Sequence, residues 1–200
     1  MDKAYEIKLS DDFEDFPQDD CIHIDRLHDE GMLLDLKAFY FVFCDLEERC
    51  RIPWNDPVKM QKYDEDYING KRPFLTPALV TNGILAAELA LKYLTKLETG
   101  SFEYTHNIDK LFYSLPQVHR DCLSTMIKEK AHQNDKTLKT NLETIKNFFM
   151  DWRYFFQFDA LGYSGFLNDF VHIVCDYAID TAQRNNQAHR PKTRTNPANV

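Results

Sequence analysis

Apolar residues return every three or four positions along most of this chain, a spacing that predicts helices. Over residues 29–51 the recurring positions are Leu33, Leu36, Tyr40, Phe43 and Leu46. Leu34, Phe39, Phe41 and Val42 widen that face, so this helix is expected in a bundle core or at a subunit contact. Pro53 and Pro57 are expected to end it, because proline lacks the amide hydrogen and clashes with the preceding turn. Residues 52–76 then read as a long polar connection. A second helix is expected from Thr76 as N-cap, with Pro77 at its first position and a stripe of Val80, Ile84, Ala87, Leu91 and Leu94. Thr105 or Asn107 can cap a short helix that buries Ile108, Leu111 and Phe112. Pro116 opens another, over 116–132, with Val118, Cys122, Met126 and Ile127 on one side. The cleanest period, Leu138, Leu142, Ile145, Phe149, Trp152 and Phe156, predicts one helix over 137–157. Gly162 and Ser164 mark a turn and a cap before a last apolar helix over 166–182.

The ends read differently. Tyr5, Ile7 and Leu9 alternate as in a short strand, and residues 10–20 form an acidic loop whose Phe13 and Phe16 suit a surface groove. The expected organisation is an irregular acidic extension over 1–28, one helical domain over 29–183 and a disordered basic tail over 184–200. The fold class is all-α, an up-and-down bundle of about five helices.

Composition sharpens this picture only in part. Two hundred residues, 44% hydrophobic and 14% aromatic, suit one globular domain with a substantial core. No apolar run approaches the roughly 20 residues of a membrane-spanning helix. The opening residues Asp2, Lys3 and Glu6 do not resemble an export signal. The five cysteines (21, 44, 50, 122, 175) form no CxxC pair and no zinc spacing. A cytoplasmic protein with reduced thiols is therefore expected. Residues 1–30 hold eleven acids against three bases, whereas from Arg184 onward there are four bases and no acid. No basic stripe of a dedicated nucleic-acid binder is present.

Glu88 is the anomaly in this pattern. At 100° per residue it sits about 40° round from Ile84, on the edge of the apolar stripe. A carboxylate there needs a cation or several donors. Arg153 has the same offset from Phe149. The two are expected to meet, as a half-buried ion pair fixing helix register or as the floor of a phosphate or nucleotide pocket. Lys92 lies near that pocket, and Asp151 and Tyr154 flank the arginine. His106 precedes a helix start, where an imidazole bonds neighbouring backbone or serves in catalysis. His119 and His172 have no acid or cysteine at metal spacing, so no metal is expected. Cys44 and Cys175 are expected to be packing residues.

The segments LAAELALKYL (85–94) and THNIDKLFYSLP (105–116) together resemble the HEPN superfamily of prokaryotic defence and toxin systems. Many of its members carry an Ala-Cys-Glu-Leu-x-Leu-Lys-like helix followed by Gly-His-x-Leu-x-x-Leu-Phe-x-x-Leu-Pro. Glu88 and Lys92 match the first element; His106, Leu111, Phe112, Leu115 and Pro116 match the second. Ala87 stands for the frequent cysteine and Thr105 for the frequent glycine. The resemblance covers roughly 30–183 and includes the WRY at 152–154.

What the resemblance implies is a small helical bundle, often paired with a second copy. Such a bundle either cleaves RNA without metal or binds RNA, nucleotide or a partner protein. No cofactor is implied. The nuclease members carry an arginine, then four to six residues, then a histidine, near the start of the last long helix. The imidazole moves the 2′-hydroxyl proton and the guanidinium holds the phosphate. Arg153 stands where that motif should begin, but Phe158, Asp159 and Ala160 fill the histidine positions. Arg184 and His189 match the spacing, in the expected tail. The resemblance therefore implies a homodimeric binding protein without the standard nuclease pair. Endoribonuclease action by Arg153, or by Arg184 with His189, is the first alternative. The second is a purely structural interaction protein whose acidic N-terminus covers a basic surface on its partner.

Overall fold

The computed structural model describes residues 21–51, 55–71, 75–153 and 165–188; the side chains of 21–29, 153, 187 and 188 lie outside that description. The described residues contain no strand and form eight helical segments: α1 (Cys21–Cys50), α2 (Pro57–Ile68), α3 (Thr76–Thr99), α4 (Ile108–Ser114), α5 (Gln117–Lys130), α6 (Asp135–Ile145), α7 (Phe148–Arg153) and α8 (Gly165–Ala188). The all-α bundle expected from the periodicity is the observed fold. The strand expected at 5–9, the acidic loop at 10–20, and Gly162 and Ser164 fall outside the described residues.

Helix α3 lies at the centre, against α1, α8, α7 and α4. Its sequence explains why. Val80, Ile84, Ala87, Leu91 and Leu94 are fully buried, and Ala86 and Ala90 carry the contact round to neighbouring faces without bulk. Gly83 leaves the space into which the Phe43 ring of α1 fits. The left-handed Gly100 ends the helix, its amide donating to the Lys96 carbonyl, a conformation that costs glycine nothing. The expected N-cap differs slightly: Thr76 is already helical, and Leu75 precedes it with no side-chain cap.

More segments form than the about five expected, for two physical reasons. Residues 57–68 are a helix, not part of a loop. Asp56 accepts from the Lys59 amide at 3.1 Å and Pro57 occupies the first turn, where its missing N–H is harmless. This helix buries no residue, so no apolar stripe announces it. The helix expected over 137–157 is broken at Lys146 and Asn147. The Lys146 carbonyl accepts from the Ile108 amide at 3.2 Å, and the Met150 amide turns to Asn147 instead. An amide of α4 thus takes the acceptor that an unbroken helix would have used.

Other boundaries and faces also shift. Helix α1 begins at Cys21, well before 29, and α8 continues through Ala188 rather than stopping near 182. Arg184 consequently stands on a helix and not in a tail. In α5 the buried residues are His119, Leu123 and Ile127, while Val118 and Cys122 are exposed, so the inward face is turned by about one residue. On α1, Leu36, Phe43 and Leu46 are buried, but Leu34 at 66% and Phe41 at 75% exposure face outward. Asn107, not Thr105, caps α4, accepting from the Lys110 amide at 2.8 Å.

The start of α6 is a reciprocal cap. Asn134 accepts from the Thr137 amide at 3.0 Å, and the Thr137 hydroxyl accepts from the Asn134 amide at 2.8 Å. Asn134→Ala is expected to cost about 1 kcal/mol, read as a lowered urea midpoint at unchanged slope.

Candidate functional site

Glu88 is 2% exposed and Lys92, one turn later on α3, is 8% exposed. The Lys92 ammonium donates to Glu88 Oε1 at 2.7 Å and lies 5.6 Å above the centre of the Phe102 ring. The second carboxylate oxygen, Oε2, is 2.9 Å from Nδ1 of His106. A carboxylate only accepts, so Nδ1 carries a hydrogen and the tautomer is set. His106 belongs to the loop before α4, and its ring stacks on Phe149 of α7 with centroids 4.9 Å apart. Its side chain remains 55% exposed. The corner therefore joins α3, the 101–107 loop and α7 around one buried acid. Its outer edge is an imidazole held at one nitrogen and along one face.

Of the residues singled out in the sequence, Glu88, Lys92 and His106 are brought together here. Arg153 ends the adjoining α7, but its side chain, like Tyr154 and His189 as a whole, lies outside the described residues. Among the described residues Glu88 meets Lys92, from its own helix, and His106; its expected meeting with Arg153 lies outside the described residues. Asp151 is half-buried on α7. Arg184 stands elsewhere, on α8, where it donates to the Asp180 carbonyl at 3.3 Å and to the Thr181 hydroxyl at 3.1 Å.

Two clusters were not read from the sequence. Between α1 and α8, the Tyr40 hydroxyl donates to Asp176 at 2.8 Å and lies 2.8 Å from His172 Nδ1. His172 Nε2 is 2.7 Å from Glu47, which also accepts from Asn168 at 2.6 Å. Both acids only accept, so these contacts are all satisfied when both imidazole nitrogens carry hydrogen. Burial and the neighbouring Asp176 carboxylate raise the Tyr40 phenol above its ordinary range. The spacing of Tyr40, Glu47, His172 and Asp176 places two acid–ring pairs on facing helices. That signal is visible in the sequence only once the helices are paired.

The second cluster lies between α5 and α8. His119 is buried, with Nδ1 2.9 Å from the Tyr177 hydroxyl and Nε2 3.4 Å from Glu98. Burial pushes the His119 imidazole below its ordinary value, with Glu98 pulling the other way. The folded chain thus disfavours the proton that the unfolded chain accepts. Stability is full above about pH 6.5 and falls as pH drops from there towards the lowered folded value. His119→Gln is expected to flatten the dependence of the urea midpoint on pH between about 7 and 5.

Among the described residues no group of histidine, cysteine and acid is arranged to hold a metal, and no helix is long and apolar enough to cross a membrane. The chain is an all-α bundle with a carboxylate-anchored histidine at one corner. Comparison with protein-family models, with curated proteins and with solved structures finds no match to it.

Proposed function

We propose that this chain is a HEPN-like binding module that takes RNA or a nucleotide at the His106 corner. The observation that carries the reading is the imidazole itself, oriented by a buried acid, stacked on Phe149 and still half open. Such a ring offers a hydrogen-bonding edge to a phosphate or base, and its own exposed π-face is one on which a base can stack. The resemblance of 85–94 and 105–116 to HEPN domains supplies the defence or toxin–antitoxin setting. It also suggests a homodimer, for which the outward Leu34, Phe41 and Val42 of α1 are the natural contact.

Fluorescent single-stranded RNA in EDTA tests the reading. Retention without cleavage, weakened about tenfold or more by His106→Ala with the melting temperature held, is the expected result; tenfold is about 1.4 kcal/mol. No retention, or retention indifferent to His106, would overturn it. Cleavage in EDTA lost in both Arg184→Ala and His189→Ala would instead establish the endoribonuclease reading. That second reading is favoured by the position of Arg184 on a helix, where a guanidinium can be preorganised.

A further inference from the structure

The loop between α3 and α4 carries more aromatic surface than the His106 corner uses. Phe102, Tyr104 and His106 alternate along it. Tyr104 is 94% exposed, the most exposed large apolar side chain among the described residues. A lone exposed ring is ordinary on a protein surface. This one stands on a braced support.

The backbone beneath it is held from both sides. The Thr105 amide donates to the Glu103 carbonyl at 3.0 Å, closing a three-residue turn with Tyr104 at its centre. The Asn107 amide donates to the Thr105 hydroxyl at 3.2 Å, and the Lys110 ammonium of α4 meets the Glu103 carboxylate at 2.9 Å. The Tyr104 ring itself touches Phe102, with centroids 5.3 Å apart and planes at 50°. Phe102 in turn lies under the Lys92 ammonium, and Lys92 shares Glu88 with His106. One short chain of contacts thus joins the exposed phenol to the imidazole. Two residues of backbone span at most about 7 Å, so the two rings are close enough to meet neighbouring bases of one strand.

We propose that Tyr104 is a second stacking platform and that the ligand of this corner is single-stranded RNA, one base on the open face of His106 and the next on Tyr104. The inference rests on the His106 reading and names its substrate class. Charge argues against a duplex. Lys92, Lys110 and Lys146 are each paired with an acid, Glu88, Glu103 and Glu143, so they offer little to the dense phosphates of a helix. An A-form duplex also keeps its base faces stacked inside. Unpaired bases expose the π-faces that these rings accept, and stacking needs no cation.

Anisotropy of labelled oligoadenylate with the full chain in EDTA tests the proposal, beside the duplex of the same strand with its complement. Adenosine monophosphate is measured separately by titration calorimetry. Tyr104→Ala, Tyr104→Leu and Tyr104→Phe alter only an exposed side chain, so each should melt as the wild type does. The expected result is oligoadenylate binding weakened about tenfold by alanine and by leucine, or about 1.4 kcal/mol, and kept by phenylalanine, which retains the ring. Adenosine monophosphate reaches only His106, so its affinity should fall in His106→Ala and hold in Tyr104→Ala. The duplex should bind more weakly than the single strand. Log affinity for the strand should fall with log salt at a slope no steeper than about −1.4, the value for two phosphates at about −0.7 each.

Oligoadenylate binding that depends on His106 but ignores Tyr104 would overturn this proposal alone and turn the exposed ring over to a protein partner. A duplex bound as tightly as the strand would overturn it too, with the His106 reading left standing. Absence of any His106-dependent binding would remove both.

Discussion

Replacing Glu88 with alanine is expected to cost roughly 3–5 kcal/mol of folding stability, because it strands the Lys92 ammonium in the interior. Lys92 is almost as buried as its partner. The Phe102 ring beneath it offsets only about 0.5–2 kcal/mol, too little to replace a carboxylate at 2.7 Å. Equilibrium urea denaturation measures the loss. A cost below about 1 kcal/mol would show that water reaches the pair as it reaches a surface ion pair. Replacing both residues together, Glu88→Leu with Lys92→Met, is expected to return stability close to wild type, since removing a buried pair also removes its desolvation penalty. The double variant would still leave His106 Nδ1 without its acceptor. Stability and positioning are thereby separated: the double variant should melt normally and fail in RNA retention.

Gly83→Ala is expected to destabilise the bundle by about 2 kcal/mol, although helix propensity alone predicts a gain of about 1 kcal/mol. The added Cβ would lie 2.6 and 2.8 Å from two carbons of the Phe43 ring and 3.3 Å from a methyl of Val171. Phe43 is fully buried, so its ring cannot swing into solvent to make room. At about 2–4 °C per kcal/mol for a chain of this size, the melting temperature should drop by roughly 4–8 °C. Phe43→Leu, itself destabilising, should cost less in the Gly83→Ala background than alone, the non-additivity expected of touching residues. A rise in melting temperature for Gly83→Ala would contradict the packing described for α1 against α3.

Much of the bundle is written in local periodicity, and α3 shows why. Its apolar stripe is unbroken and its flanks are alanine, so one helix face and its burial follow from spacing alone. Helix α2 was hidden because it buries nothing; its one clear signal, Asp56 followed by Pro57, also reads as the end of α1. The inward face of α5 departs from its apolar pattern because a buried histidine looks polar and an exposed valine looks apolar. Only the Tyr177 and Glu98 side chains, far along the chain, explain how His119 is accommodated.

The candidate site divides in the same way. Glu88 stands out as an acid on an apolar edge, so a cationic or donor partner is required by simple energetics. Two partners were available to that argument, Lys92 one turn away and Arg153 on another helix, and spacing does not choose between them. His106 could be flagged by its place before α4. Its stacking on Phe149 could not, because it depends on where the break after Ile145 puts α7. That break has a tertiary cause and leaves no mark on the hydrophobic period, which runs through it unchanged.

The peptide group between Lys146 and Asn147 has a wider effect than ending a helix. Its oxygen is tied to the first amide of α4, two residues past His106, while Phe149 follows it two residues later. The imidazole and the ring beneath it are thus anchored to the same short piece of backbone. A ligand that pushes on either one acts on both, like two teeth of a single comb.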